Sequence, residues 1–139
     1  MREILFRGKR TDNGEWVEGY YSYSPEIDKH MITTADLAHP CGTNFGFYKV
    51  IPETVCQYTG LTDKNGRKIF EGDILGGFLD EEYPEHETVV VVEWHENMWV
   101  TRQGEYLPDL LEQDVSDCFE VIGNIYDNPE LLEGRDEIL

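Results

Sequence analysis

Few residues in this chain stand at spacings that chemistry uses. His95-Glu96 opens like the helical zinc-protease motif, where two histidines four apart hold the metal and the glutamate is the base. Trp99 stands where the second histidine belongs, so the motif fails. His39-Pro40-Cys41 offers one nitrogen and one sulfur ligand, but no second pair follows at a structural-zinc spacing. It reads as a loop histidine and a loop cysteine. Cys56 has a nucleophile's chemistry, yet Val55 and Tyr58 flank it in an extended segment. There a thiol packs as a small hydrophobe. Gly42-Thr43-Asn44-Phe45-Gly46 runs into Phe47 and lacks the Lys and Ser/Thr of a phosphate loop. No Gly-x-Ser-x-Gly elbow is present. Carboxylates are abundant, but no spacing selects an acid/base pair. The run Asp80-Glu81-Glu82-Tyr83-Pro84-Glu85-His86-Glu87 would attract a divalent cation, but it lacks the fixed glycine and terminal glutamate of a calcium loop. These residues nominate no catalytic, cofactor or metal site.

Charge is more informative than motif. The chain has 139 residues, 29 acidic and 11 basic, for a net charge of −18. Residues 1–68 carry nine of each sign. Residues 69–139 carry only Arg102 and Arg135 against twenty carboxylates, which accounts for the whole net charge. Such asymmetry argues for two differently tasked surfaces. Basic residues gather at Arg2, Arg7, Lys9 and Arg10, with Trp16 and Tyr20 close in sequence, and again at Lys64, Arg67 and Lys68. The acidic run either solubilises the chain or binds. The candidate interaction surface is therefore Asp80, Glu81, Glu82, Glu85 and Glu87, together with Trp16 and Tyr20. Hydrophobic residues make up 40% and aromatics 12%, enough for a packed core. No apolar run approaches the ~20 residues of a membrane helix, and the first ten residues have no signal-peptide core. Cys41, Cys56 and Cys118 show no CxxC spacing and leave one thiol over from any pairing. A reducing cytoplasm is the expectation.

The elements that would position these residues are short strands. Ile4-Leu5-Phe6 reads as the first, and Asn13-Gly14 as a hairpin turn with positive φ. Glu15 to Tyr23 is the return strand, with Val17, Gly19, Tyr21 and Tyr23 on one face and Trp16, Glu18 and Tyr20 on the other. Residues 24–46 show weak periodicity and read mostly as loop, with one short strand at His30 to Thr33. Phe47 to Ile51 and Thr54 to Tyr58 are extended. Gly66 ends a turn between two extended segments. Lys68 to Phe70 and Asp73 to Phe78 are short strands. Thr88 to Trp94 is the strongest strand, and its four valines imply burial on both faces at one end. Met98 to Arg102 pairs back on it. Leu107 to Gln113 reads as a helical turn, Phe119 to Tyr126 as the last strand. Asn128-Pro129-Glu130 reads as the start of a short helix. The class is mainly β, with short antiparallel strands. An SH3-like barrel occupies the C-terminal half, an N-terminal β-hairpin precedes it and a short C-terminal helix closes the chain. The organisation is a hairpin and loop-rich region over 1–59 packed on a barrel with its helix over 60–139.

Four blocks carry a family resemblance. They are Arg7-Gly8-Lys9 with Asn13-Gly14-Glu15-Trp16-Val17 and Gly19-Tyr20; Ile51-Pro52-Glu53-Thr54-Val55 with Gln57-Tyr58-Thr59-Gly60-Leu61; Asp63-Lys64-Asn65-Gly66 with Ile69-Phe70-Glu71-Gly72-Asp73-Ile74; and Glu120 to Tyr126 with Asn128-Pro129-Glu130-Leu131-Leu132. Together they resemble the YopX family of small proteins encoded by phages and prophages, from residue 4 to about 132. Cys56 stands where relatives carry glycine. The resemblance implies a β-rich fold with an SH3-like barrel and brings no activity with it. The motif residues read as turns and core rather than as a site.

The expected function is a phage-encoded, non-catalytic module that docks a host or phage protein, with no cofactor and no membrane. The alternative is an acidic DNA mimic that occupies the basic groove of a host DNA-binding protein. Nucleic-acid binding through the basic N-terminal surface ranks third, because a charge of −18 opposes approach to phosphates. No feature sets an oligomeric state.

Overall fold

The computed structural model describes residues 4–35, 45–77, 88–103 and 109–132. The chain divides into two compact units, 1–58 and 59–139. The class is mainly β.

The first unit begins with β1 (Phe6–Lys9) and β2 (Trp16–Ser24). Their turn is set locally. Gly14 takes φ +71°, and the Asn13 side chain accepts a bond from the Glu15 amide at 2.9 Å. This fixes the register Lys9↔Trp16 through Phe6↔Gly19. The first strand therefore starts at Phe6 and runs to Lys9 rather than spanning Ile4 to Phe6, because the turn dictates which residues face Trp16 and Val17.

β3 (Lys29–Ala35) pairs with β2, and β4 (Phe45–Lys49) pairs with β3. Both lie partly in the stretch expected to be loop. β3 is bonded along both edges, which compensates for its polar residues. The sheet then curls back on itself. Val50 bridges Arg10, the Thr11 amide donates to Lys49 at 3.0 Å, and the Ile51 amide donates to Lys9 at 2.8 Å. On the other side the Val50 amide donates to His30 at 3.0 Å. Ile32 and Val50, both buried, fill the inside of the curl against Gly8, where a Cβ would press on both at 3.2 Å. A 3-10 turn over Pro52–Thr54 follows, and β5 (Cys56–Thr62) starts beside β1 at Phe6↔Gln57 and Arg7↔Cys56.

The second unit holds the rest of β5 beside β6 (Lys68–Phe70), then β7 (Asp73–Gly77), β8 (Thr88–His95), β9 (Met98–Arg102), β10 (Asp109–Leu110) and β11 (Phe119–Asn124). Five strands form an antiparallel sheet in the order β10-β9-β8-β7-β11. Among the described residues no pairing joins β10 to β11. Val89, Val90 and Val92 are buried, so neighbouring valines do bury both faces at the start of β8. The core is Ile69, Leu75, Val90, Val92, Trp99, Leu111, Phe119 and Val121.

The helical expectations shrink. Asp109 and Leu110 extend the sheet against Thr101 and Val100 instead of forming a helical turn. Only α1 (Gln113–Ser116) follows, held by Ser116 Oγ and Gln113 Nε2 donating to the Thr62 carbonyl, each at 2.9 Å. After β11 a single 3-10 turn spans Pro129–Leu132. Asn128 points its side chain backward, and its Oδ1 accepts from the Asn124 amide at 3.2 Å. A Cβ on residue 123 would sit 2.5 Å from that oxygen, so Gly123 is the residue that lets the turn close.

Candidate interaction surface

Alternation along β2 puts Trp16, Glu18, Tyr20 and Ser22 on one face of the first sheet, as expected. Pairing then adds neighbours from other strands. Tyr20 stands opposite Thr33, and Thr33 opposite Phe47. Directly opposed residues share a face. Tyr20, Thr33 and Phe47 therefore form one row across three strands, with the rings about 10 Å apart at ~4.8 Å per strand. Tyr20 is 61% exposed and Phe47 67%. The next row is Ser22, Met31 and Lys49. Phe47 was missing from the candidate set. Nothing in its local sequence marks it; only the register through β3 links it to Tyr20.

Trp16 lies about 13 Å from Tyr20 along the strand, at ~3.3 Å per residue. It is half-buried and held by cations. The Arg7 guanidinium lies 4.8 Å from the indole centre and the Lys9 ammonium 5.6 Å. Arg7 itself is buried. The backbone under Lys9 is fixed too, because its amide donates to Thr54 Oγ at 2.9 Å and that hydroxyl donates to the Ile51 carbonyl at 2.6 Å. Trp16 is thus a braced ring beside the exposed row.

Two further clusters lie on the opposite face of the sheet. Arg10 donates from Nε and a terminal nitrogen to the two Asp12 oxygens at 2.9 and 2.6 Å, and its guanidinium covers Tyr48 at 4.5 Å. The bond to Asp12 raises the Arg10 pKa, and the same bond lowers that of Asp12. At the other end His30 stacks between Tyr21 and Tyr23 at 5.9 and 4.4 Å and shares a hydrogen bond with Tyr21 Oη. The Tyr23 hydroxyl donates to Asp28 at 2.9 Å, which raises the tyrosine's pKa, with burial and the carboxylate charge adding to it. Both clusters brace side chains behind the aromatic row, on the sheet's reverse face.

The acidic members of the candidate set, Asp80, Glu81, Glu82, Glu85 and Glu87, lie outside the described residues, as do His39 and Cys41. Cys56 is buried at 1% exposure, with Sγ 3.2 Å from the Thr54 carbonyl, in the role of a small core residue. His95 and Glu96 sit at the β8–β9 turn, 3.7 Å apart, with Glu96 at φ +49°, so no helix carries them. Among the described residues no three His, Cys, Asp or Glu side chains converge as metal ligands, and no helix is long and apolar enough to cross a membrane.

In the second unit one carboxylate is set apart by burial. Asp63 is 3% exposed. Its Oδ1 accepts from the amides of Asn65 and Arg67, and Oδ2 from the amide of Val121, all at 2.9 Å. Burial opposes its ionisation, but the three amide donors outweigh that and lower its pKa. The arrangement ties the β5–β6 turn to β11 through a carboxylate that is 3% exposed, so Asp63 is a structural residue.

The model of a family described as YopX protein matches residues 5–133. The crystal structure of protein EF1440 from Enterococcus faecalis has a similar fold, with a TM-score of 0.62 and 23% identity, covering 96% of this chain and 100% of that one. At that identity the likeness is one of fold. No curated protein matches.

Proposed function

The chain belongs to the YopX family, and we propose that it is a non-catalytic protein-interaction module that docks a host or phage protein in the bacterial cytoplasm. The family description and the neighbour's name specify no activity, so the reading rests on the first unit's surface. The observation that carries it is the row Tyr20–Thr33–Phe47, two exposed rings on one face of the sheet beside a tryptophan braced by Arg7 and Lys9. Large rings left in water on a rigid face are the usual material of interface anchors. Pre-ordered neighbours such as Trp16 lower the entropy cost of using them. Burying each ring contributes up to roughly 1.5–3 kcal/mol.

A phosphate backbone is a poorer occupant of this face. Glu18 stands between Trp16 and Tyr20, and the chain after residue 68 is strongly acidic. Nucleic-acid binding therefore stays the third reading. The second is the acidic mimic, favoured by two cations against twenty carboxylates after residue 68.

The test is affinity capture from host lysate with the wild-type chain and with Tyr20→Ser/Phe47→Ser, each at low and high salt. A partner held through the rings survives high salt and is lost from the double variant. If the double variant captures the same protein as wild type, the docking face is wrong. If capture disappears in salt and ignores the variant, the mimic reading replaces it.

A further inference from the structure

The chain treats its two exposed or half-exposed tryptophans differently. Trp16 lies in the unit with ample cations, and Arg7 and Lys9 occupy its ring. Trp94 lies in a unit of 81 residues with 21 carboxylates and five cations. It is 49% exposed and packs on Trp99 at 4.8 Å and 65°. That contact fixes the ring's orientation and leaves about half of it in water. Around it the sheet is short of positive charge. Arg102 is already committed to Glu93, Nε to Oε2 at 2.7 Å. Among the described residues, cations stack on Trp16 and Tyr48 and none on Trp94.

The hairpin end is built to stay put. Glu96 and Asn97 take φ of +49° and +67°, both positive as a tight two-residue hairpin turn requires. Trp94↔Trp99 and His95↔Met98 are the last two pairs, and Met98 is 42% exposed. A rigid tip thus presents an indole on one side, a thioether on the other and the Glu96 carboxylate at its apex. Indole is the best aromatic partner for a cation, and the unit's net negative charge draws cations in.

We propose that the end of the β8–β9 hairpin docks a Lys- or Arg-bearing amphipathic segment of a partner protein, with a basic side chain over Trp94 and an apolar one against the edge of the same indole. This site is separate from the Tyr20–Phe47 row and shares with it only the reading of the chain as an interaction module. An anionic segment is excluded by the unit's charge, and a second copy of this unit would bring the same charge with it.

The experiment titrates the whole chain with a 14-residue Leu/Lys amphipathic peptide, followed by the three indole N–H signals and backbone amides in NMR. A Leu/Glu peptide of the same pattern is the control. The Trp94 indole and the Met98 amide shift with the Leu/Lys peptide only. Trp94→Leu weakens binding about three- to thirtyfold, the range a cation on an indole supplies, while Trp94→Phe recovers part of it. Because the wild-type indole signal reports directly, the result does not depend on the variants folding. Equal affinity of Trp94→Leu and wild type overturns the proposal, since the peptide is then held by carboxylates alone. Binding of the Leu/Glu peptide at the same site overturns it as well. Shifts confined to Tyr20, Thr33 and Phe47 overturn it too and leave the first-unit face standing.

Discussion

Removing the Asp63 carboxylate should be the most damaging single change in the second unit that leaves its apolar core intact. In Asp63→Ala three amides lose their acceptor. Asn65 and Arg67 are in an exposed turn and recover water, at a cost of about 0.5–1.5 kcal/mol each. The Val121 amide is on a buried β11 residue and is left without its bond, at about 1–3 kcal/mol. The sum is about 2–6 kcal/mol, centred on ~4. For a unit of this size the central value lowers Tm by about 16–32 °C, at ~4–8 °C per kcal/mol. Asp63→Asn keeps one oxygen for the turn but points an NH2 group at the Val121 amide, so it should lose more than half as much. The charge adds a pH signature. The folded pKa lies below the unfolded value of about 3.9, so this group's stabilisation is complete above that value and is lost as pH falls through the folded pKa. Thermal unfolding followed by circular dichroism from pH 7 to pH 2.5 is the assay. The wild-type and Asp63→Asn curves should converge below about pH 4. A Tm change under ~3 °C for Asp63→Ala, or parallel pH curves, would refute the reasoning.

Gly66→Val should cost about 1 kcal/mol or more, because φ is +82° there and a β-branched residue resists it although nothing lies within 4 Å of its Cβ; an unchanged Tm contradicts this. Under native conditions a thiol reagent should label the exposed Cys118 well before the buried Cys56, which reacts only on unfolding; equal rates by mass spectrometry contradict the burial. Stability should rise with NaCl, because exposed carboxylates repel across a Debye length of ~30 Å at 0.01 M and only ~10 Å at 0.1 M. A Tm that falls between those salt concentrations would mean that favourable ion pairs dominate the acidic half.

Much of the strand pattern was legible because each strand announces itself locally. The alternation of Trp16 to Tyr23, the valines of β8 and the glycines at turns all act within a few residues. What stayed hidden depends on partners far along the chain. β3 is polar, with His30, Thr33 and Thr34, so only its middle, His30 to Thr33, was legible, and its full length comes from β2 and β4 bonding it on both sides. Asp109 and Leu110 become strand because Thr101 and Val100 are there to receive them. The candidate surface shows the same divide. Trp16 and Tyr20 share a face by simple periodicity, whereas Phe47 joins them through two registers no local pattern encodes. Asp63 looked like an ordinary turn residue, and its bond to Val121 spans 58 positions.

The seam at Val50 also has a meaning in time. Residues 50 and 51 bolt the sheet to His30 on one side and to Lys9 on the other. Until they leave the ribosome, β1 to β4 form an open ribbon with bare edges. Once they and the first residues of β5 emerge, every strand partner of β1 is present, and no residue beyond 58 is needed to pair it. Synthesis at roughly 5–20 residues per second then leaves about 4–16 s for the remaining 81 residues, far longer than a small curled sheet needs to close. The near-neutral unit would be folded before the strongly acidic one is complete.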